Sequence, residues 1–179
     1  MEVITERLIL REFREADWAA VLAYQSDPRY LRYYAWTGRT PEEVQAFVGM
    51  FLRAQAAQPR TQFQLAITLK ESGQHIGNCG IRKESPDARQ ADIGYELAPE
   101  HWGQGYAPEA ARAIVRFGIT ALGVYRIRAE CVADNTASAH VLTKIGMRQE
   151  GHLRETHYYK ERWWDTLVFG MLESEWWDG

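Results

Sequence analysis

The sequence predicts an α/β fold, with a mixed, mostly antiparallel sheet of about seven strands flanked by helices. Three observations carry it. Residues 63–69 and 75–81 are strand-like runs joined by the turn sequence Glu71-Ser72-Gly73-Gln74. They lead through Ser85-Pro86-Asp87 into a further alternating run at 92–97, as an antiparallel meander does. A helical segment then separates 92–97 from another alternating run at 125–132, and a crossover of that kind joins parallel strands.

The elements follow in order. Residues 5–13 set Leu8, Leu10 and Phe13 among charges and read as a first strand, and Arg14-Glu15-Ala16-Asp17 supplies an N-cap. Trp18, Val21, Leu22 and Tyr24 form a short helix, and Ser26-Asp27-Pro28 restarts a helical turn. Tyr30, Tyr33, Tyr34 and Trp36 come next, too dense for one helix stripe; they are either core packing or the wall of a binding site. Thr40-Pro41-Glu42-Glu43 is a capping box with proline at the first helical position, and its helix carries Val44, Phe47, Val48, Phe51 and Leu52 to about Gln58-Pro59. In the central run Ile93, Tyr95 and Leu97 alternate with Asp92, Gly94 and Glu96, the period of a half-buried strand. The helix beginning near Pro108 keeps Ala111, Ile114, Val115, Gly118 and Leu122 on one face, and Gly123 stops it. Ile127, Ala129 and Cys131 alternate with Arg126, Arg128 and Glu130 in the following strand; Asn135 to Gly146 is another helix, and the apolar run 167–172 is a closing strand.

At 179 residues the chain is long enough for one domain with a sizeable core, here 1–179, and it shows no internal repeat. A net charge of −3 argues against a protein built mainly to bind nucleic acid. Two cysteines, Cys79 and Cys131, lie in apolar strand-like runs without metal-ligand spacing, and the five histidines show no paired motif, so no metal is implied. No apolar run approaches a membrane span, and a cytoplasmic location is expected. With seven tryptophans and nine tyrosines, some rings are expected to line a pocket.

The stretch that carries chemistry is Trp102-Gly103-Gln104-Gly105-Tyr106-Ala107, between the central strand and a helix. Free N–H groups at a helix N-terminus and the dipole behind them favour a phosphate. No lysine follows the glycines as a Walker loop requires, and Pro108 stands at the third position of a dinucleotide fingerprint. By itself a G-x-G is also compatible with a plain surface turn.

Ile93-Gly94-Tyr95-Glu96-Leu97 followed by Trp102 to Ala107 resembles the acyl-CoA-binding motif of the GNAT N-acetyltransferases, most closely the RimJ/RimL-type branch. Trp102 stands at the Gln/Arg position of the general motif, as is usual in that branch. A second block, Asn135-Thr136-Ala137-Ser138-Ala139-His140-Val141-Leu142-Thr143-Lys144-Ile145-Gly146-Met147, is similar to N-x-x-S-x-x-V-L-x-K-x-G-F, and Arg162-Trp163-Trp164-Asp165 to the branch's final hairpin. The resemblance covers nearly the whole chain. It implies a GNAT fold with a splayed central strand pair, acetyl-CoA as cosubstrate and an amine acceptor. The cofactor side would be Trp102, Gly103, Gln104, Gly105, Tyr106 and Ala107 at the pyrophosphate, and Asn135 at the pantetheine. An amide at Leu97 or Ala98 would be the oxyanion donor.

Acetyl transfer to an amine also needs a base and a proton for the leaving thiolate. Glu96, where the central strand splays, is the first candidate base, against a solvated strand residue; Glu155 on the substrate side is the weaker one. The tyrosine that many superfamily members place seven residues after the asparagine is here Leu142. In this branch a serine three residues after the asparagine replaces it, and Ser138 stands there, read as the acid or as a first-turn cap. Tyr33, Tyr34 and Trp36 would bind the acceptor. The expected activity is acetylation of a protein N-terminal α-amine, with a small-molecule amine such as an antibiotic or polyamine, or a non-catalytic CoA sensor, as alternatives. A homodimer, as is frequent in the branch, would find an apolar contact in Trp176-Trp177.

Overall fold

The computed structural model describes residues 1–176. Its strands are β1 (Glu2–Ile4), β2 (Leu8–Glu12), β3 (Gln62–Leu69), β4 (His75–Lys83), β5 (Gln90–Leu97), β6 (Arg126–Val132), β7 (Arg148–Tyr159) and β8 (Arg162–Leu172). The helices are α1 (Trp18–Gln25), α2 (Pro28–Leu31), α3 (Pro41–Ala56), α4 (Tyr106–Thr120) and α5 (Thr136–Lys144). All eight strands lie in one sheet in the order β1-β2-β3-β4-β5-β6-β8-β7. The strand beyond the expected seven is β1, whose three residues are too few to show a period of two.

Every neighbouring pair is antiparallel except β5 and β6. That parallel pair is in register only at Gln90↔Arg126, Ala91↔Ile127 and Asp92↔Arg128. Beyond Asp92 the two strands part, while β5 stays bonded to β4 as far as Leu97 and β6 to β8 as far as Val132. The sheet therefore opens in its middle, leaving unpaired backbone on β5.

Helices cover both faces. On one, Ile93 and Leu97 pack with Ala110, Ala111, Ile114 and Val115 of α4 and Leu142 of α5. Gly118 lets α4 approach closely there, since a Cβ would come within 2.4 Å of Ile81 Cδ1 and push that side chain aside. On the other face, Val21 and Tyr24 of α1 and Val44 and Val48 of α3 meet Phe13, Ala66 and Ala98. The capping box of α3 forms as expected: Glu43 N–H donates to Thr40 Oγ1 at 3.3 Å, and Thr40 N–H donates to Glu43 Oε2 at 2.8 Å.

Asp17 does not cap α1. Its carboxylate faces back, receiving Arg11 through both guanidinium nitrogens at 2.8 Å and the Arg14 N–H at 2.7 Å, with His75 Nδ1 at 3.6 Å. Burial would raise the Asp17 carboxyl, but Arg11 and the Arg14 N–H outweigh it and hold the group below its usual range. Burial likewise holds His75 below its ordinary value, against the pull of Asp17. Both groups thus bind protons less readily in the folded chain than in the unfolded one, so stability falls as the pH is lowered. The His75 contribution is lost below about pH 6.5, and the Asp17 contribution below about pH 4. Urea unfolding at about pH 7 and about pH 5 should show a lower midpoint at the acidic value, with His75→Gln flattening the difference.

Candidate active site

The glycine loop lies between β5 and α4. Gly103 and Gly105 have φ of 75° and 82°, the left-handed region that favours glycine. Gly105 is the N-cap of α4, so Tyr106 and Ala107 open the helix and Pro108 is the third helical position, still in the first turn. Residues at such an end have N–H groups without intrahelical acceptors. A Cβ built on Gly103 would meet nothing within 4 Å, so the loop is open above that residue. Behind it stands Arg7, which the sequence reading missed. Its guanidinium donates to the Gln104 carbonyl at 2.9 Å, lies 4.6 Å from the Tyr106 ring centroid and is anchored by Glu109 at 2.8 Å. This contact engages the Gln104 carbonyl with Arg7. Gln104 in turn donates through Nε2 to the Glu100 carbonyl.

Next comes the open edge of β5. The Ala98 N–H donates to Ile76 O at 2.8 Å, so it completes the β4–β5 ladder. Amides alternate in direction along a strand. Ala98 and Glu96 therefore face β4, whereas Tyr95 and Leu97 face the opening. Of the two expected oxyanion donors, Ala98 is already spent and Leu97 is available. Trp102 seals the end of this edge by donating its indole N–H to Leu97 O at 2.8 Å, with nearly half of the residue still exposed. An extended chain with amide groups, laid along β5, finds the Leu97 N–H and both backbone groups of Tyr95.

Glu96 points to the opposite face, into a cluster of donors. Oε1 accepts from Tyr24 Oη at 2.8 Å, from Gln25 Nε2 at 3.1 Å and from Asn78 Nδ2. Oε2 accepts from Tyr30 Oη and, at 3.5 Å, from Tyr34 Oη. Asn78 is itself buried, held by Gln64 Nε2 at 2.6 Å and donating to Tyr24 Oη at 2.9 Å. Burial and then the Glu96 charge push the phenols of Tyr24, Tyr30 and Tyr34 well above their usual range, which keeps all three as donors. Glu96 is thus a bound carboxylate rather than a solvated strand residue.

The aromatic run divides. Tyr30 is buried in the core under α1 and α3, so for it packing was the right expectation. Tyr34 stacks on Tyr30 at 4.6 Å and meets Trp36 at 4.4 Å, extending the ring column outward from Glu96. Arg39 lies over Trp36 at 4.4 Å and reaches Gln25. Tyr33 turns away, donating to Asp134 O at 3.0 Å and meeting Trp164 edge-on. Tyr159 and Lys160, at the tip of the β7–β8 hairpin, donate to the carbonyls of Tyr33 and Leu31, so the hairpin tip braces this wall.

Glu155 is not brought to this cluster. It is exposed at an irregularity of β7 with φ of 53°, and its N–H donates to Asp165. Asp165 alternates with Trp164 along β8 and so lies on the other face from the ring column.

On the cofactor side, Asn135 caps α5 through Oδ1, which accepts the Ser138 N–H at 3.1 Å. The first-turn cap is therefore Asn135 and not Ser138. The Ser138 hydroxyl lies 3.0 Å from Tyr95 Oη, across the opening.

Residues 7–148 match the family model described as an acetyltransferase (GNAT) domain. The chain belongs to the GNAT acetyltransferases. The enzyme is 33% identical over 176 residues to the uncharacterized N-acetyltransferase YnaD of Bacillus subtilis, covering 98% of this chain and 99% of that one. A GNAT-family acetyltransferase structure from Bacillus anthracis superposes with a TM-score of 0.84 at 30% identity, covering 98% and 100% of the two chains. Two structures at 19% identity share the fold: RimL, a ribosomal L7/L12 alpha-N-protein acetyltransferase in complex with coenzyme A (TM-score 0.85), and spermidine N-acetyltransferase from Vibrio cholerae with CoA and spermine (0.81). Each of these two covers 96% of this chain and 98% of its own. This GNAT enzyme therefore has the eight-stranded, mostly antiparallel sheet of its family, and it transfers acetyl groups to nitrogen. No helix among the described residues is long and apolar enough to cross a membrane, and no group of three or more His, Cys, Asp or Glu side chains among them is placed to hold a metal.

Proposed function

We propose that the whole chain acts as one acetyl-CoA-dependent acetyltransferase of primary amines, with a protein N-terminal α-amine as acceptor. The observation that carries this reading is the unpaired edge of β5. It runs between the glycine loop at one end and the Glu96 cluster on the opposite face. Acetyl-CoA supplies an activated acetyl thioester. The residues present fit such a group: an open loop at Gly103, amides at the start of α4 for a diphosphate, and a free strand edge for the amides of the pantetheine arm.

In this reading Gly103, Gln104, Gly105, Tyr106 and Ala107 bind the diphosphate, while Trp102 fixes where the edge ends. The Leu97 N–H donates to the carbonyl oxygen on which negative charge develops. Asn135 holds the α5 terminus toward the arm, and Ser138 donates to the departing sulfur. Glu96 takes the ammonium proton, through water or through a hydroxyl of the tyrosine cluster. Tyr34 and Trp36 flank the acceptor and Tyr33 closes the wall; Glu155 lies outside the catalytic cluster and serves only to contact a longer acceptor.

A physical argument favours an α-amine. Its ordinary pKa is about 7.7–8.0, against about 10.4 for a lysine side chain. Near neutral pH a sizeable fraction is already neutral, so a carboxylate whose oxygens are already shared among several donors suffices. Similarity to RimL supports the same acceptor, and similarity to the spermidine enzyme supports the rival one, a small polyamine. The test offers short peptides with free or blocked N-termini beside a panel of small amines. Acetylation of free peptides and not of blocked, lysine-containing ones is the expected result. Turnover of small amines alone overturns the acceptor assignment.

The reading includes a cytoplasmic enzyme and a homodimer. Trp176 is half-buried against its own core, and Trp177 lies outside the described residues. Support for a dimer comes instead from Leu153, Tyr158 and Trp163, which the β7–β8 hairpin leaves exposed.

A further inference from the structure

We propose that Tyr95 is a positioning residue for the reaction, setting the direction of the Ser138 hydroxyl at the thiol end of the cleft. The proposal rests on the reading above, in which Ser138 faces the departing sulfur.

Tyr95 lies on the stretch of β5 that has lost β6, and its side chain lies on the face packed by α4 and α5. Its Oη is 3.0 Å from the Ser138 carbonyl oxygen and also 3.0 Å from Ser138 Oγ. A phenol has one hydrogen, and a carbonyl can only accept. The two contacts are therefore satisfied in one of two ways. If Tyr95 donates to the carbonyl, the Ser138 hydroxyl must donate to Tyr95 Oη, and its hydrogen is engaged there. If Tyr95 donates to Oγ, the serine hydrogen is free for another acceptor. Negative charge growing on a sulfur beside Ser138 favours the second arrangement. The charge is then met by a hydrogen bond from Ser138, strengthened by the one that Ser138 receives. No proton has to leave Tyr95.

Two further features fit. The Ser138 backbone is held by Asn135, so rotation of two hydroxyls is the only movement required. Burial raises the Tyr95 phenol well above its usual range, so it remains a donor at any pH at which the enzyme works. The Cys131 thiol of β6, whose acidity Ser138 influences, is raised by burial. A thiol is a weak donor and leaves Tyr95 as the stronger partner.

The test compares Tyr95→Phe, Ser138→Ala and the double variant by two readouts. The first is the acidity of the CoA thiol when CoA alone is bound, followed by thiolate absorbance. The second is kcat. In the wild type, binding should make the CoA thiol more acidic than it is in solution. Ser138→Ala should reverse that effect and lower kcat about ten- to a hundredfold, with KM for acetyl-CoA nearly unchanged. Tyr95→Phe should weaken the thiol acidity by about tenfold in ionisation constant and kcat by a similar factor, and add nothing in the Ser138→Ala background. A strut that merely held α5 would instead lower the melting temperature and leave the bound thiol as in the wild type. 3-Fluorotyrosine at position 95 keeps the shape and makes the phenol a stronger donor, so it should raise the acidity of the bound thiol. An unchanged bound thiol in both Tyr95 variants, with Ser138→Ala still impaired, overturns the positioning role alone. An unimpaired Ser138→Ala enzyme overturns the reading of Ser138 and this inference with it.

Discussion

Gly105→Glu is expected to weaken acetyl-CoA binding at least about a hundredfold, roughly 2.7 kcal/mol. Three effects act in the same direction. With φ at 82°, any side chain other than glycine strains the loop by about 1–2 kcal/mol. The new carboxylate brings negative charge to the helix terminus that is read here as the diphosphate site. It also meets Arg7, since a Cβ at 105 would lie only 3.2 Å from Arg7 Nη2. That pairing would draw the guanidinium from Glu109 and release the Gln104 carbonyl it now holds. Gly105→Ala separates the terms, because it adds strain without charge and should cost only part of the affinity. Calorimetry on folded variants decides the matter. Unchanged affinity in Gly105→Glu would remove the diphosphate from this loop.

That loop was legible because its parts are contiguous: a strand, two glycines and a helix start lie within sixteen residues of chain, from Asp92 to Ala107. The meander, the crossover and the parallel pair were legible for a related reason, since each shows as a local period bounded by turn residues. What escaped is set by register and by distant contacts. Whether Leu97 or Ala98 offers its amide to the opening depends on which β5 residues bond to β4, and a strand's own sequence does not state that parity. Asp17 carries the right residue type for a cap, yet Arg11 and the Arg14 N–H claim its carboxylate. The groups around Glu96 come from α1, α2, β4 and the segment after α2, and no spacing links them. One signal was available. Asn78 stands in the middle of an otherwise apolar stretch of strand from Ile76 to Ile81, and a buried amide demands partners. Read in that light, it points to a polar group on the neighbouring strand, and Glu96 is its register partner.

Glu96→Gln should lower kcat by about a hundredfold to ten-thousandfold, the range for loss of a positioned base. It should also cost stability, and the two effects have separate physical origins. Both carboxylate oxygens now accept from several donors: Tyr24, Gln25 and Asn78 on one, Tyr30 and Tyr34 on the other. A glutamine can turn its NH2 only toward the Tyr30 and Tyr34 hydroxyls, which then accept and lose the acceptor for their own hydrogens, since Gln25 and Asn78 on the other oxygen can only donate. Leaving one such buried group unsatisfied costs about 1–3 kcal/mol. Because burial and the Glu96 charge are what hold the three phenols protonated, the variant should also let them titrate earlier on alkaline exposure. The catalytic loss is distinguishable by its pH dependence. If Glu96 removes the ammonium proton, the deficit shrinks as pH rises through the pKa of the acceptor amine, because the amine then arrives neutral. A purely structural loss would persist or grow over the same range. A folded Glu96→Gln enzyme with kcat within about threefold of wild type near neutral pH would sink the base assignment, since that is far less than positioned proton transfer contributes. Glu96 would then be the anchor of the tyrosine wall, and the proton would leave the amine by another route.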